Sequence, residues 1–354
     1  MNFRGKKVLL RVDFNVPLSG GKVADDFRIR AHIPTIKMLL KKGAQVFLIT
    51  HLEVNGKTPH LGVVRNLLER LLDLRVGFAR GKLPVSRRFF ERAVLLDNIR
   101  LNPGEKKNDL KFAKLLATWG DYYINDAFAV SHREHASIVL LPKLLPHETG
   151  PLLKAEIKNL SKFFKPRRPF LVIIGGKKFE TKEPLISKLL KSADAVFIVG
   201  AIGNTFLARR GISVGKSKIE SVKIPKNVVW NNKILLPEDW VMKNGVILDA
   251  GPKTVRALSQ LAKKAEFVLW NGTLGLCEKG FEYGTRTLAK ELGKSKAYKV
   301  VGGGDTVAAI RKFKLEKNFD FISTGGGAML GFLAKGTLPG IEALRKKTIL
   351  DRIG

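Results

Sequence analysis

The chain has 354 residues, 45% of them hydrophobic, which is enough apolar material for two domains and argues against wholesale disorder. One cysteine, Cys277, excludes an internal disulfide framework and fits a reducing cytoplasm. Lys and Arg number 64 against 31 Asp and Glu, a formal charge of +33 that attracts anions of every size, from small phosphates to nucleic acid and acidic lipid surfaces.

The opening stretch, MNFRGKKVLLRVDFNV, is interrupted by Arg11 and Asp13. It is too short for a signal-peptide core and too charged for a membrane span, and no later segment reaches spanning length. A soluble, cytoplasmic protein without membrane contact is expected. Strand and helix then alternate. KVLLRVDF reads as a buried strand, and RIRAHIPTIKMLLKKG as a helix stopped at Gly43. AQVFLITH, AVLLDN and DYYIND read as further strands, separated by the helices VVRNLLERLLDL and DLKFAKLLATWG. An amphipathic stretch, PLLKAEIKNLSKFF, runs into Pro166 and Pro169 and marks a domain junction. Beyond it the rhythm restarts with PFLVIIGG, DAVFIVG, KILLP, VILDAG, EFVLWNG, KVVGGGD and DFISTGGG as strands, alternating with helical patterns. The order predicts an α/β fold of two doubly wound, parallel-sheet (Rossmann-like) domains, in which ligands bind outside the carboxyl ends of the strands.

Glycine-rich turns occupy those ends in the second half, at Gly175-Gly176, Gly200, Gly251, Asn271-Gly272, Gly302-Gly303-Gly304-Asp305-Thr306 and Ser323-Thr324-Gly325-Gly326-Gly327. Such turns bring backbone N–H groups close to a ligand, and their number points to a nucleotide crevice. GISVGKS at 211–217 has three residues between its glycines where a P-loop needs four, and the triple glycine lacks GxGxxG spacing. In the first half the strand ends carry Asp13 and Asn15, then His51, then Arg100, then Asp126, His132 and Arg133, with Arg28 opening the first helix. Converging arginine forks with a histidine suit a small molecule bearing phosphate and carboxylate groups.

Taken in order, RVDFNVP (11–17), RIRAHIPTI (28–36), LLDNIRL (95–101), GDYYINDAF with HREHAS, RPFLVIIGG (168–176), NTFL (204–207), LDAGPKT (248–254), WNGTLG (270–275), GGGDT (302–306) and STGGGA (323–328) resemble the phosphoglycerate kinase family across almost the whole chain. The resemblance implies two α/β domains joined by a hinge. Residues 1–150 would form an N-terminal 3-phosphoglycerate-binding domain, 151–166 the interdomain helix and 167–339 a C-terminal nucleotide-binding domain. The tail 340–354 would return to the first domain. It implies a cytoplasmic, monomeric glycolytic enzyme that moves a phosphoryl group reversibly between Mg2+-bound ATP or ADP and the glycerate carboxylate. Carried over, Asp13, Asn15, Arg28, His51, Arg100 and Arg133 bind glycerate, and Arg28 and Lys178 act in catalysis. Lys178, Lys182, Gly200, Asn271, Glu278, Gly303, Gly304, Asp305, Thr306, Gly325, Gly326 and Gly327 bind nucleotide, and Asp305 holds the metal.

Departures from the family pattern fall in five places. His51-Leu52-Glu53-Val54 puts an acid and a valine where the family has glycine and arginine, with Lys57 nearby as a point-charge substitute. Lys177-Lys178-Phe179 adds a lysine, and Thr181 replaces an aspartate. Ala129, Val130, Thr273 and Cys277 also differ, and the segment between Leu236 and Leu248 is short. Three alternatives stay open on the sequence: a nucleic-acid-binding protein on a kinase fold, a relative that has lost catalysis, and a doubly wound oxidoreductase. No specific nucleic-acid partner is predicted, only non-specific attraction of polyanions to the +33 charge.

Overall fold

The structure is a computed structural model and describes residues 3–85, 88–176, 179 and 182–345. It resolves into two compact units. One runs through Lys158 and takes up the chain again at Thr337, and the other is Asn159–Gly336. The division falls inside the helix Pro151–Ser161.

Strands of the first unit are β1 (Lys7–Arg11), the short hairpin β2 (Leu18–Ser19) and β3 (Lys22–Val23), β4 (Gln45–Ile49), β5 (Val76–Ala79), β6 (Ala93–Leu96), β7 (Tyr122–Asn125) and β8 (His147–Thr149). Apart from the hairpin they form one parallel sheet in the order β5-β6-β4-β1-β7-β8. Its strands read as continuous apolar runs because both faces are covered. Val8 and Leu10 pack with Ile29, Ile36, Leu39 and Leu68 from the helices Phe27–Lys41 and Gly62–Leu72. Leu9, one step along the pleat, packs with Phe112, Leu116, Trp119 and Tyr123 on the other side. The helix Pro339–Arg345 belongs to this unit, with Gly340 N–H donating to Ser131 O at 2.8 Å.

The second unit holds β9 (Phe170–Ile174), β10 (Ala195–Ile198), β11 (Ile234–Leu235), β12 (Trp240–Lys243), β13 (Val246–Ala250), β14 (Phe267–Asn271), β15 (Tyr298–Gly302) and β16 (Phe321–Ile322). The parallel sheet has the order β11-β10-β9-β14-β15-β16, so the direction of winding reverses between β9 and β14. Helices Pro252–Lys264 and Tyr283–Gly293 cover one face, burying Val255, Leu258, Ala262, Leu288 and Leu292 against Val268, Trp270 and Val301.

VILDAG departs from its expected place. β13 pairs antiparallel with β12 as a two-stranded ribbon outside the main sheet, because Asn244-Gly245 between them, both at positive φ, turns the chain back on itself. Two strands of the parallel sheets were not anticipated: β5, four residues broken by Gly77, and β8, whose His147–Thr149 has no apolar residue. No helix among the described residues is long and apolar enough to cross a membrane.

Gly43 ends the first helix as expected. Its φ is +82°, its N–H donates to Leu40 O, and Ala44 N–H reaches back to Leu39 O at 3.1 Å. A Cβ there would sit 3.0 Å from Arg4 Cα. Gly43→Ala is expected to lower unfolding free energy by about 1–2 kcal/mol, the usual penalty for a left-handed non-glycine residue. Calorimetric unfolding checks this, and an unchanged transition would contradict it.

Candidate active site

In the first unit the ends of β6, β4, β1 and β7 are neighbours in the sheet, so their loops share one edge. Asp13 organises it. Its Oδ1 accepts the Asn15 N–H at 3.2 Å, and Arg28 Nη1 lies 3.1 Å from its Oδ2 and 2.9 Å from Asn15 O. Asp13 N–H donates to His32 Nε2 at 3.0 Å. His32 therefore carries its proton on Nδ1, which faces Asp126 Oδ2 at 3.1 Å, and Asp126 Oδ1 accepts the Leu152 N–H at 2.7 Å. This relay joins the β1 and β7 ends. His32 was not singled out from the sequence, although it stands one helical turn after Arg28 and so on the same face.

His51 is buried, and neither of its ring nitrogens has a hydrogen-bond partner. Burial first, then the charges of Arg11, Arg133 and Arg28 together with His135, hold its pKa well below the usual histidine value. At neutral pH it offers an N–H and not a cation. His132 Nδ1 is likewise buried without a partner. Arg133 makes no ion pair among the described residues. Beneath these groups Arg11 Nε donates to Ser137 Oγ at 3.0 Å, and Ser137 donates its hydroxyl and N–H to Glu105 at 2.6 and 2.9 Å. The loop carrying His132 and Arg133 is thereby fixed.

Arg100 is occupied. Its buried guanidinium pairs with the Glu53 carboxylate, and Lys106 Nζ stands 3.6 Å from the same oxygen. Lys57 makes no ion pair among the described residues, and Lys106 joins Arg100 beside Glu53.

The second unit contains a cavity of about 640 Å³ at the carboxyl ends of its strands. Lys182, Gly200, Asn271, Glu278, Gly303, Gly304, Asp305, Thr306, Gly326 and Gly327 line it, while Gly325 is not on its wall. Three helices start here, Gly200–Arg209, Gly304–Lys312 and Gly326–Lys335, and none is capped by its own N-cap side chain. Uncapped amides and aligned dipoles make such ends receptive to anions. The Gly251 turn differs from the others. Asp239 Oδ1 and Oδ2 already accept the N–H groups of Thr254 and Lys253 at 2.7 and 3.0 Å, so that helix start is filled from within.

Gly272 has φ +114°, and a Cβ on it would lie 2.4 Å from Gly175 Cα, so the β9 and β14 turns are pressed together backbone to backbone. Thr306 Oγ1 accepts the Gly272 N–H at 2.8 Å and locks the β15 turn to the same junction. Lys182 is buried, donating to Gly175 O and to Asn271 Oδ1, the latter at 3.3 Å. Burial lowers its pKa to about 8, partly offset by Asp305. Asn271 Nδ2 has no partner. Asp305 lies exposed in the first turn of its helix. Pro237, Trp240, Leu276 and Leu330 give the cavity apolar wall area suited to a flat base. Asp249, which the sequence reading passed over, also lines it, accepting the Ala250 and Gly284 N–H groups at 2.8 and 3.1 Å with its pKa raised to about 6 by burial. Lys178 lies outside the described residues.

Comparison with known proteins agrees in sequence and in fold. The family model described as phosphoglycerate kinase matches residues 1–336. The phosphoglycerate kinase of Orientia tsutsugamushi (strain Ikeda) is 39% identical over 387 aligned positions, covering 97% of this chain and 95% of that protein. That of Moorella thermoacetica is 39% identical, covering 98% of each. The crystal structure of phosphoglycerate kinase from Pyrococcus horikoshii superposes with a TM-score of 0.87 at 28% identity, covering 98% of this chain and 97% of that one. The Coxiella burnetii phosphoglycerate kinase structure gives 0.79 at 34% identity over the same shares. With full-length relatives at this identity, and with the parallel sheets and strand-end loops described above, the chain belongs to the phosphoglycerate kinase family, phosphotransferases whose acceptor is a carboxyl group.

Proposed function

We propose that the first unit holds 3-phosphoglycerate, that the second holds magnesium-bound ATP or ADP, and that transfer runs reversibly between them. The observation that carries this reading is the contrast between two anion-receptive clusters. One is built from arginine forks beside a neutral His51 without a hydrogen-bond partner, the other from three helix starts with no capping side chain beside a buried lysine.

Arg28 and Arg133 supply donors for the glycerate's phosphate and carboxylate, and Asp13 with Asn15 aims Arg28. His51 contributes an N–H without adding charge. In the second unit, amides at Gly200, Gly304 and Gly326 take the nucleotide phosphates, Lys182 neutralises them, and the apolar wall takes the base. Glu278 is assigned to the ribose. Lys178 is assigned to the migrating phosphoryl group from its place in the family motif. Phosphoryl transfer needs alignment and donors around the equatorial oxygens more than covalent work. The acceptor carboxylate is already ionised, so no general base is required. In this proposal hinge closure supplies the in-line geometry and keeps water from the acyl phosphate.

Among the described residues no cluster of three His, Cys, Asp or Glu could cage a metal. The exposed Asp305 carboxylate suits Mg2+, which takes one or two carboxylates and fills its sphere with phosphate oxygens and water. Bound there, the ion would neutralise charge on the β- and γ-phosphates. We further propose a cytoplasmic monomer, a reading supported by membership of the family and, for the compartment, by a single free cysteine. Its +33 charge would hold polyanions only non-specifically, with steep salt dependence.

A coupled assay of ATP consumption tests the reading: consumption should require 3-phosphoglycerate, and acceptor-independent or absent turnover would contradict it. Arg28→Gln is expected to lower kcat/KM for 3-phosphoglycerate roughly 100-fold or more while calorimetric ADP affinity holds. Equal loss of both would refute the division of roles. Lys182 loses its charge as pH rises through its folded pKa of about 8. KM for magnesium-ATP should therefore climb above that pH in the parent and stay flat in Lys182→Met. Parallel profiles would remove Lys182 from the phosphate site.

A further inference from the structure

We infer that Glu53 is a built-in competitor for the acceptor: its carboxylate occupies the Arg100 guanidinium until an incoming phosphate or carboxylate displaces it. The inference rests on the proposed acceptor site of the first unit. Arg100 and Glu53 are unequal partners. The arginine side chain is buried at 3% exposure, whereas the glutamate is 35% exposed and reaches in from the rim. The Glu53 backbone is anchored independently of its carboxylate. Its N–H donates to Asn15 Oδ1 at 2.9 Å, and Val54 and Lys57 close the following turn with two backbone bonds of 2.9 Å. The side chain is thus free to swing about its own torsions while the turn stays put. Lys106, 3.6 Å from the same oxygen and half exposed, is a ready second partner for the displaced carboxylate.

The arrangement has a reason in the unliganded protein. A buried guanidinium with no counter-charge is strongly destabilising, and Glu53 removes that cost. The consequence is weaker acceptor binding. If Arg100 is open for about a tenth of the time, the apparent dissociation constant rises about tenfold. Glu53 also bridges two residues assigned to the acceptor, Arg100 through its carboxylate and Asn15 through its amide, so displacement is felt at the strand end that aims Arg28.

The test compares the parent, Glu53→Gln, Arg100→Gln and the double variant, using steady-state kinetics and calorimetry with 3-phosphoglycerate. Removing the charge at near-constant shape should lower KM and Kd for 3-phosphoglycerate roughly 3- to 10-fold, with no matching change in KM for magnesium-ATP. The gain should vanish in the Arg100→Gln background. An unchanged or raised acceptor KM in Glu53→Gln, with normal parent turnover, would overturn the inference and make Glu53 a support for Arg100. A gain that persists without Arg100 would overturn it as well. Absence of 3-phosphoglycerate binding by the parent would overturn the acceptor-site reading itself, a different result read from the same titrations.

Discussion

Parallel sheets covered on both faces leave a ligand only one approach, the loops at the carboxyl ends of the strands, and both units of this chain are built under that constraint. Because β1, β4, β9 and β14 are covered on both sides, their polar residues collect just beyond the last strand position. Asp13 follows Arg11 by two residues, His51 follows Ile49 by two, and Gly175 follows Ile174 directly. The chemistry is thus positioned by the core. In the second unit the helices Gly200–Arg209, Gly304–Lys312 and Gly326–Lys335 begin at glycine with no capping side chain of their own, and that leaves anion-receptive amides at the cavity wall. The Gly251 turn shows the alternative outcome, since Asp239 already satisfies its amides and leaves nothing for a phosphate.

The two units treat negative charge differently. In the proposed function the second neutralises phosphates mainly with backbone dipoles and adds Lys182, whose burial lowers its pKa to about 8. The first uses side-chain forks, and forks must be held. Asp13 holds Arg28, the Ser137–Glu105 pair holds Arg11, and Glu53 holds Arg100. Each hold stabilises the empty site. Two of these holds set a carboxylate directly against a guanidinium expected to carry substrate, but Asp13 is buried at 2% exposure whereas Glu53 reaches in from the rim at 35%.

Much of this was legible in the sequence. The apolar runs located the central strands, and the residues just beyond them located both clusters, because strand ends in a doubly wound sheet are fixed by where hydrophobicity stops. Other features depend on pairing, which a single chain does not display. VILDAG has the composition of a sheet strand, yet its partner is the hairpin strand β12. Asp249 and His32 read as an ordinary acid and a helix histidine until the fold brings backbone amides against them. Glu53 was visible as an acid beside a missing arginine, but its grip on Arg100 needed the β4 and β6 ends side by side. Lys178 rests on its motif alone.

In the proposed function, backbone amides at the starts of three helices receive the nucleotide phosphates. Hydrogen–deuterium exchange of the full-length protein, with and without magnesium-ADP, addresses it at the residues concerned. The account predicts slowed exchange at peptides covering 200–203, 304–307 and 326–329, with the 252–255 segment unchanged because Asp239 already engages it. Bound ADP that left the first three segments unprotected would contradict it.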